Sequence, residues 1–226
     1  MANTTARNIQ GAHCNKDLRV LEPILKKWIT VVSEYSAAFG KDDACWWYTE
    51  RANVGILAAA TWKTKDWLAL EEYSTTKRGE IKGETKNGRC DLYIGKKNHR
   101  SSFALEAKRC YQGIGGSARD DMAKVFASIK VARDDAGNIE NDEANKRLAC
   151  CFIMPFIRTT KAPSEIDLNN KLTAWLGKLK KEIPWDAIAW NFPKESRVLQ
   201  NSNGYYLPGV VLVISQKQRA NRQKTV

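Results

Sequence analysis

Gly88-Arg89-Cys90-Asp91-Leu92-Tyr93-Ile94 and Phe103-Ala104-Leu105-Glu106-Ala107-Lys108 are two apolar-rich runs close together in the chain, each carrying charge that a core would reject. On a strand, side chains alternate between faces, so Phe103, Leu105 and Ala107 point one way and Ala104, Glu106 and Lys108 the other. Glu106 and Lys108 then share a face, roughly 7 Å apart at about 3.3 Å per residue. A carboxylate suited to a hard cation, beside an ammonium suited to a water or a phosphate, is a pairing that phosphodiester hydrolysis uses.

Working outward, Asn87-Gly88 is a strong two-residue turn signal, because both residues tolerate positive φ. A turn there pairs Lys86 with Arg89 and Glu84 with Asp91. Gly95-Lys96-Lys97-Asn98 reads as the next turn, which makes a three-strand antiparallel meander with Asp91 early on its middle strand and Glu106 and Lys108 late on its third. Residues 67 to 74 fit either a helix capped by Asp66 or a strand, and the strand is favoured.

The flanks supply helices. Leu18, Leu21, Leu25, Trp28, Val32 and Tyr35 recur at helical steps, with Pro23 starting the regular part near Glu22 and Phe39-Gly40 closing it. A second helix is expected to open at Asp42 or Asp43 and run through Trp46, Ala52, Ile56 and Ala60. After the meander, Gly113-Ile114-Gly115-Gly116-Ser117 leads into Met122, Val125, Phe126 and Ile129 at helical spacing, with Ser117 as the expected N-cap. Residues 148 to 157 read as a fully buried strand of the kind a crossover helix delivers in parallel. Ser164 caps a helix striped by Leu168, Leu172, Trp175, Leu176, Leu179 and Ile183 and ended by Pro184; strands follow at 185–190 and 205–215, the latter interrupted by Pro208-Gly209. The expected class is α/β.

Charge narrows the partners. Thirty-seven Lys and Arg against twenty-five Asp and Glu give a formal +12, for which a polyanion is the simplest partner. Part of that excess lies in 216–226, a basic tail without an acidic residue. No basic amphipathic helix has the apolar face needed to anchor on a membrane, and no apolar run is long enough to span one, so no membrane partner is expected. Residues 1–15 are polar, unlike a signal peptide, and are expected to be disordered. Six cysteines without a Cys-x-x-Cys pair fit reduced thiols and a cytoplasmic location. Two histidines, both in polar stretches, make a histidine triad or a histidine metal site a poor fit.

Asp91, fourteen intervening residues and then Glu106-Ala107-Lys108 resemble the PD-(D/E)XK motif of the restriction-endonuclease-like nucleases, with Cys90 where the motif's name places proline. The resemblance covers residues 44 to 157. It implies a core of helix, three-strand antiparallel meander, helix and parallel strand in a mixed sheet flanked by helices, within a single nuclease-like domain over 16–215. It implies a Mg²⁺-dependent endonuclease, with Mn²⁺ able to substitute, that hydrolyses DNA in restriction, phage defence, recombination or repair. A homodimer cutting both strands is one form of such an enzyme. Asp91, Glu106 and the Ala107 carbonyl would hold the metal, Lys108 would orient or help deprotonate the attacking water, and Glu50 is the expected third carboxylate from the preceding helix, ahead of Glu72 and Glu84. Arg109, Arg119, Gly115 and Gly116 are candidate backbone-phosphate contacts. Trp46 and Trp47 are candidate base-stacking residues, since two adjacent helical indoles cannot both face one core. RNA as substrate, a nuclease-like binding protein that does not cleave, and a basic adaptor for another protein are the alternatives.

Overall fold

The apolar run around Cys150-Cys151 becomes the central strand of one mixed sheet. In the computed structural model, which describes residues 8–40, 42–79, 84–97, 101–115, 122–159 and 161–216, β5 (Lys146–Arg158) pairs parallel with β4 (Ser102–Gly113) and antiparallel with β8 (Val210–Gln216). Leu148, Cys150, Phe152 and Met154 enter a core with α1 (Glu22–Phe39) and α2 (Glu50–Trp62); Cys151, Ile153 and Ile157 enter a second core with α3 (Ala123–Asn138) and α4 (Glu165–Glu182). A strand covered on both faces shows no polar alternation, which is why its sequence is continuously apolar.

The full order is β1 (Ile9–Cys14), β6 (Ala187–Phe192), β8, β5, β4, β3 (Thr85–Lys96), β2 (Trp67–Arg78), with the short β7 (Tyr205–Tyr206) paired to β5. The described residues are thus α/β, with an eight-stranded mixed sheet flanked by four helices. In chain order α2, the antiparallel β2-β3-β4, α3 and then β5 parallel to β4 follow one another. α1 begins at Glu22 with Pro23 in its first turn, and α4 is capped by Ser164, whose hydroxyl accepts from Asp167 N at 3.2 Å. Lys180 and Lys181 close α4, where cations favour the helix dipole.

Four expectations need correction. Residues 9–14 are ordered as β1 against β6 rather than disordered, while 1–7 and 217–226 lie outside the described residues. α2 opens at Glu50, not at Asp42 or Asp43. The Asp43 carboxylate is committed elsewhere, accepting from Tyr35 Oη at 2.5 Å, Tyr48 Oη at 2.8 Å and Ala44 N at 2.7 Å. A single 3-10 turn follows over Cys45–Trp47, and Thr49 then caps α2 by accepting from Ala52 N. α3 opens at Ala123 behind Met122; the expected cap, Ser117, lies outside the described residues.

The fourth correction matters most for the site. Asn87-Gly88 is not a turn: it lies inside β3, paired with Thr76 and Thr75. The ribbon of β2 and β3 closes beyond it, where Gly79 N donates to Glu84 O at 2.7 Å. A Cβ on Gly88 would stand 2.8 Å from Lys77 Cδ, so the glycine is needed there to let a lysine stem pass. The register shifts with the turn, and Glu72 rather than Glu84 stands opposite Asp91.

Candidate functional site

β3 and β4 stay together only briefly. They pair from Leu92↔Leu105 to Gly95↔Ser102, after which β3 continues with β2 alone. At the same level the β2–β3 ladder skips one pair, and Glu72 takes a positive φ of 51°. That conformation costs a glutamate about 1 kcal/mol or more and reverses which face the strand presents. Leu92 belongs to the α1–α2 core, whereas Cys90 packs with Ile139 and Ala144 on the other side of the sheet.

The parting of β3 and β4 leaves the edge of β4 without a strand partner, and Asp91 fills the role. Its Oδ2 accepts from Ala107 N at 2.7 Å, replacing a ladder carbonyl. Because the N–H and C=O of one strand residue leave the same edge, the Ala107 carbonyl also faces this gap. Glu50, in the first turn of α2, lines a hollow of about 40 Å³ with Arg51, Val54, Glu71, Glu72 and Asp91. Four acidic residues thus line this hollow. Burial raises the Glu50 carboxyl above its ordinary range, with Lys108 pulling it down and Asp91 pushing it up.

Glu106 and Lys108 reach the gap from the α3 side. Glu106 is 4 % exposed, and its carboxyl is pushed from 4.5 up to about 7, first by burial and then by Asp91 and Asp135, against the pull of Lys77. Lys77 Nζ lies 2.6 Å from Glu106 Oε1. Burial draws the Lys108 ammonium down, but the Asp135 carboxylate at 2.8 Å more than offsets this, and Glu50 and Asp91 add to it; Lys108 ends above its ordinary value. A lysine held protonated this firmly donates hydrogen bonds and does not accept a proton. Asp91 and Glu50 from one face and Glu106 and Lys108 from the other therefore surround a single gap in the sheet.

Other nominated residues lie elsewhere. Trp46 has no exposed surface, and its indole donates to Leu207 O at 2.9 Å, so it stacks on no base. Trp47 also packs against the α1–α2 core; the two indoles sit on a 3-10 turn rather than an α-helix, which lets both reach the same core. The Arg109 guanidinium donates to the Tyr48 carbonyl and lies 4.9 Å over the Tyr111 ring, clamping the segment that leads to Glu50. Gly115, at φ 71°, sits beside Lys171 of α4 and not at the start of α3, while Gly116 and Arg119 lie outside the described residues. Glu84 closes the far end of the ribbon. Lys77 and Asp135 were not nominated: each meets its partner only through strand or helix packing between segments about 30 residues apart, and no local spacing signals that.

As a donor set the gap offers Asp91, Glu106 and the Ala107 carbonyl, all hard oxygens of the kind Mg²⁺ takes. Among the described residues no three or more His, Cys, Asp or Glu stand close enough to hold a metal unaided. Two carboxylates with a backbone carbonyl and retained waters still match how Mg²⁺ is commonly bound. No protein-family model, curated protein or solved structure matches this chain. No helix of the described residues is long and apolar enough to cross a membrane.

Proposed function

We propose that the chain is a Mg²⁺-dependent endonuclease of the PD-(D/E)XK type that hydrolyses DNA phosphodiester bonds. The observation carrying this reading is the 2.7 Å bond from Ala107 N to Asp91 Oδ2, which ties Asp91 to the Glu106-Ala107-Lys108 strand where β3 and β4 part. Asp91, Glu106 and the Ala107 carbonyl are the residues that would hold Mg²⁺. When bound, the cation lowers the pKa of its water and offsets charge on the leaving oxygen. Glu106 is suited to receive a cation, because its buried carboxyl, pushed up to about 7 even beside Lys77, would gain ionisation from further positive charge. Lys108, kept protonated by Asp135, orients the attacking water and stabilises the phosphoryl oxygens rather than acting as a base. Glu50, raised and adjoining Asp91, is the group on the α2 side able to hold a proton.

A second reading has one observation in its favour. Lys77 against Glu106 and Lys108 against Asp135 leave both key charges already paired within the chain. That arrangement suits a protein that binds nucleic acid without cutting it.

Cleavage of supercoiled, linear and single-stranded DNA and of RNA, with Mg²⁺ or EDTA, separates the two. Wild type is expected to cut DNA only with Mg²⁺, and Glu106→Ala and Lys108→Ala to bind DNA without cutting. Tight, salt-sensitive binding by wild type with no cutting of any substrate would overturn the nuclease reading in favour of the binding protein.

A further inference from the structure

Beyond Asp91 the chain builds a two-stranded ribbon that the core does not require. Thr85–Cys90 of β3 runs for about 20 Å at 3.3 Å per residue, paired with β2 alone. One face of the ribbon is packed, with Tyr73 and Cys90 against Ile139 and Ala144 and with Thr75 buried. Its outer edge is braced as well: Glu140 N donates to Thr76 O at 3.2 Å, Thr76 N donates to Glu143 Oε1 at 3.0 Å, and Lys77 bridges to Ile139. These bonds hold the ribbon at a fixed attitude beside the gap.

Among the described residues the opposite face carries Ser74, Thr76, Arg78, Thr85, Asn87 and Arg89, all polar and without a carboxylate until Glu72 at its base. Asp91 shares this face and stands where the ribbon joins the sheet. Arg89 and Arg78 have side chains 70 % and 48 % exposed, held to Glu72 at 3.4 Å and Glu140 at 3.5 Å. Exposed pairs of this kind are worth little and are readily exchanged for a phosphate.

We infer that the open face of the β2–β3 ribbon docks double-stranded DNA and presents its backbone to the Asp91–Lys108 gap, an inference that rests on the nuclease reading above. Hydroxyl, amide and guanidinium groups on a two-stranded ribbon match a major groove about 12 Å wide, with the arginines for phosphates or guanine and Asn87 for adenine. The face has no aromatic side chain for unstacked bases, which argues against a single strand. A-form RNA would present a major groove too narrow for the ribbon.

Anisotropy of a labelled DNA duplex in EDTA, across a salt series, tests this. Arg78→Ala/Arg89→Ala is compared with Lys26→Ala/Lys63→Ala, which removes two exposed cations outside the ribbon, one on α1 and one at the C-terminal end of α2, and with Asn87→Ala, which removes none; thermal melts confirm that all are folded. The arginine pair is expected to weaken duplex binding by about tenfold or more and to lower the slope of log affinity against log salt by about 2, whereas the lysine pair leaves both nearly unchanged. Asn87→Ala is expected to weaken binding without changing the slope. Equal behaviour of the arginine and lysine pairs, or wild-type binding of a single strand as tight as of duplex, would overturn the inference. Cleavage by the same proteins is scored separately. Ribbon-dependent binding without cutting would keep the docking surface and sink the nuclease. Undiminished cutting by the arginine pair at substrate concentrations below Kd would do the reverse.

Discussion

Glu106→Gln removes the charge of the most buried carboxylate in the gap and keeps its shape. In the folded chain that carboxyl is pushed from 4.5 to about 7, mainly by burial. In the unfolded chain it titrates near its ordinary value, so between about pH 4.5 and 7 the folded state binds the extra proton. Wild-type stability must therefore fall as pH rises through that window, with no penalty below it and the full penalty above it. The interval, at about 1.4 kcal/mol per pH unit, corresponds to roughly 3 kcal/mol. In a chain of this length 1 kcal/mol moves Tm by about 2–4 °C, so the Tm gap between Glu106→Gln and wild type should widen in favour of the variant by roughly 6–12 °C from pH 4.5 to pH 8. Thermal melts of both proteins in EDTA measure it, and subtraction cancels the titrating groups that do not interact with Glu106. A gap that stays constant from pH 4.5 to 8 would refute the electrostatic account. Adding Mg²⁺ at pH 8 should then recover stability in wild type but not in the variant, as expected for a ligand that binds only the folded, ionised site.

Gly88→Ala places a Cβ 2.8 Å from Lys77 Cδ and should displace that lysine from Glu106, lowering Tm more at pH 8 than at pH 5. Gly177→Ala, inside α4 with nothing within 4 Å of the added Cβ, should instead stabilise by about 0.5–1 kcal/mol in urea unfolding. Trp46→Phe loses the indole bond to Leu207 and some core volume, which should cost about 2–3 kcal/mol while leaving duplex affinity unchanged. Asp135→Asn removes the carboxylate that lifts Lys108, so the alkaline limb of the pH–cleavage profile should move to lower pH, read from single-turnover rates.

The elements that could be read from sequence were those whose signal is periodic or continuous. α4 and its Ser164 cap, the buried β5 and the alternating run containing Glu106 follow from local pattern, and the order of α2, meander, α3 and β5 follows from them. Two of the failures share a cause: a residue type with a strong local meaning was used for a long-range purpose. Asn87-Gly88 looks like a turn, yet glycine is there for the stem of Lys77. Asp43 looks like a helix cap, yet it gathers two tyrosine hydroxyls from either side of it. β1 escaped notice because an edge strand half exposed on both faces shows little alternation. In the candidate site, Asp91, Glu106 and Lys108 were nominated from spacing and Glu50 from the resemblance, while Lys77 and Glu72 depend on a β2–β3 register that the misplaced turn had shifted, and Asp135 on the packing of α3 against β4. The premise that adjacent indoles cannot both face one core failed because Trp46 and Trp47 sit on a 3-10 turn, which buries Trp46 fully and packs Trp47 partly against the same core.

The brief partnership of β3 and β4 has a consequence for how such a chain can change over time. Past Leu92 the ribbon is held by its own ladder and by a few bonds to residues 139–143, and its described residues contribute no side chain to either of the two large cores. Residues inserted or deleted at its outer end would alter its reach and the groups it displays while every helix and central strand keeps its neighbours. Asp91, Glu106 and Lys108 sit on the other side of that boundary, on strands whose register the cores fix. On the proposed reading, recognition and chemistry would thus be separately mutable, and a grafted or lengthened β2–β3 ribbon would be the place to begin re-targeting the chain.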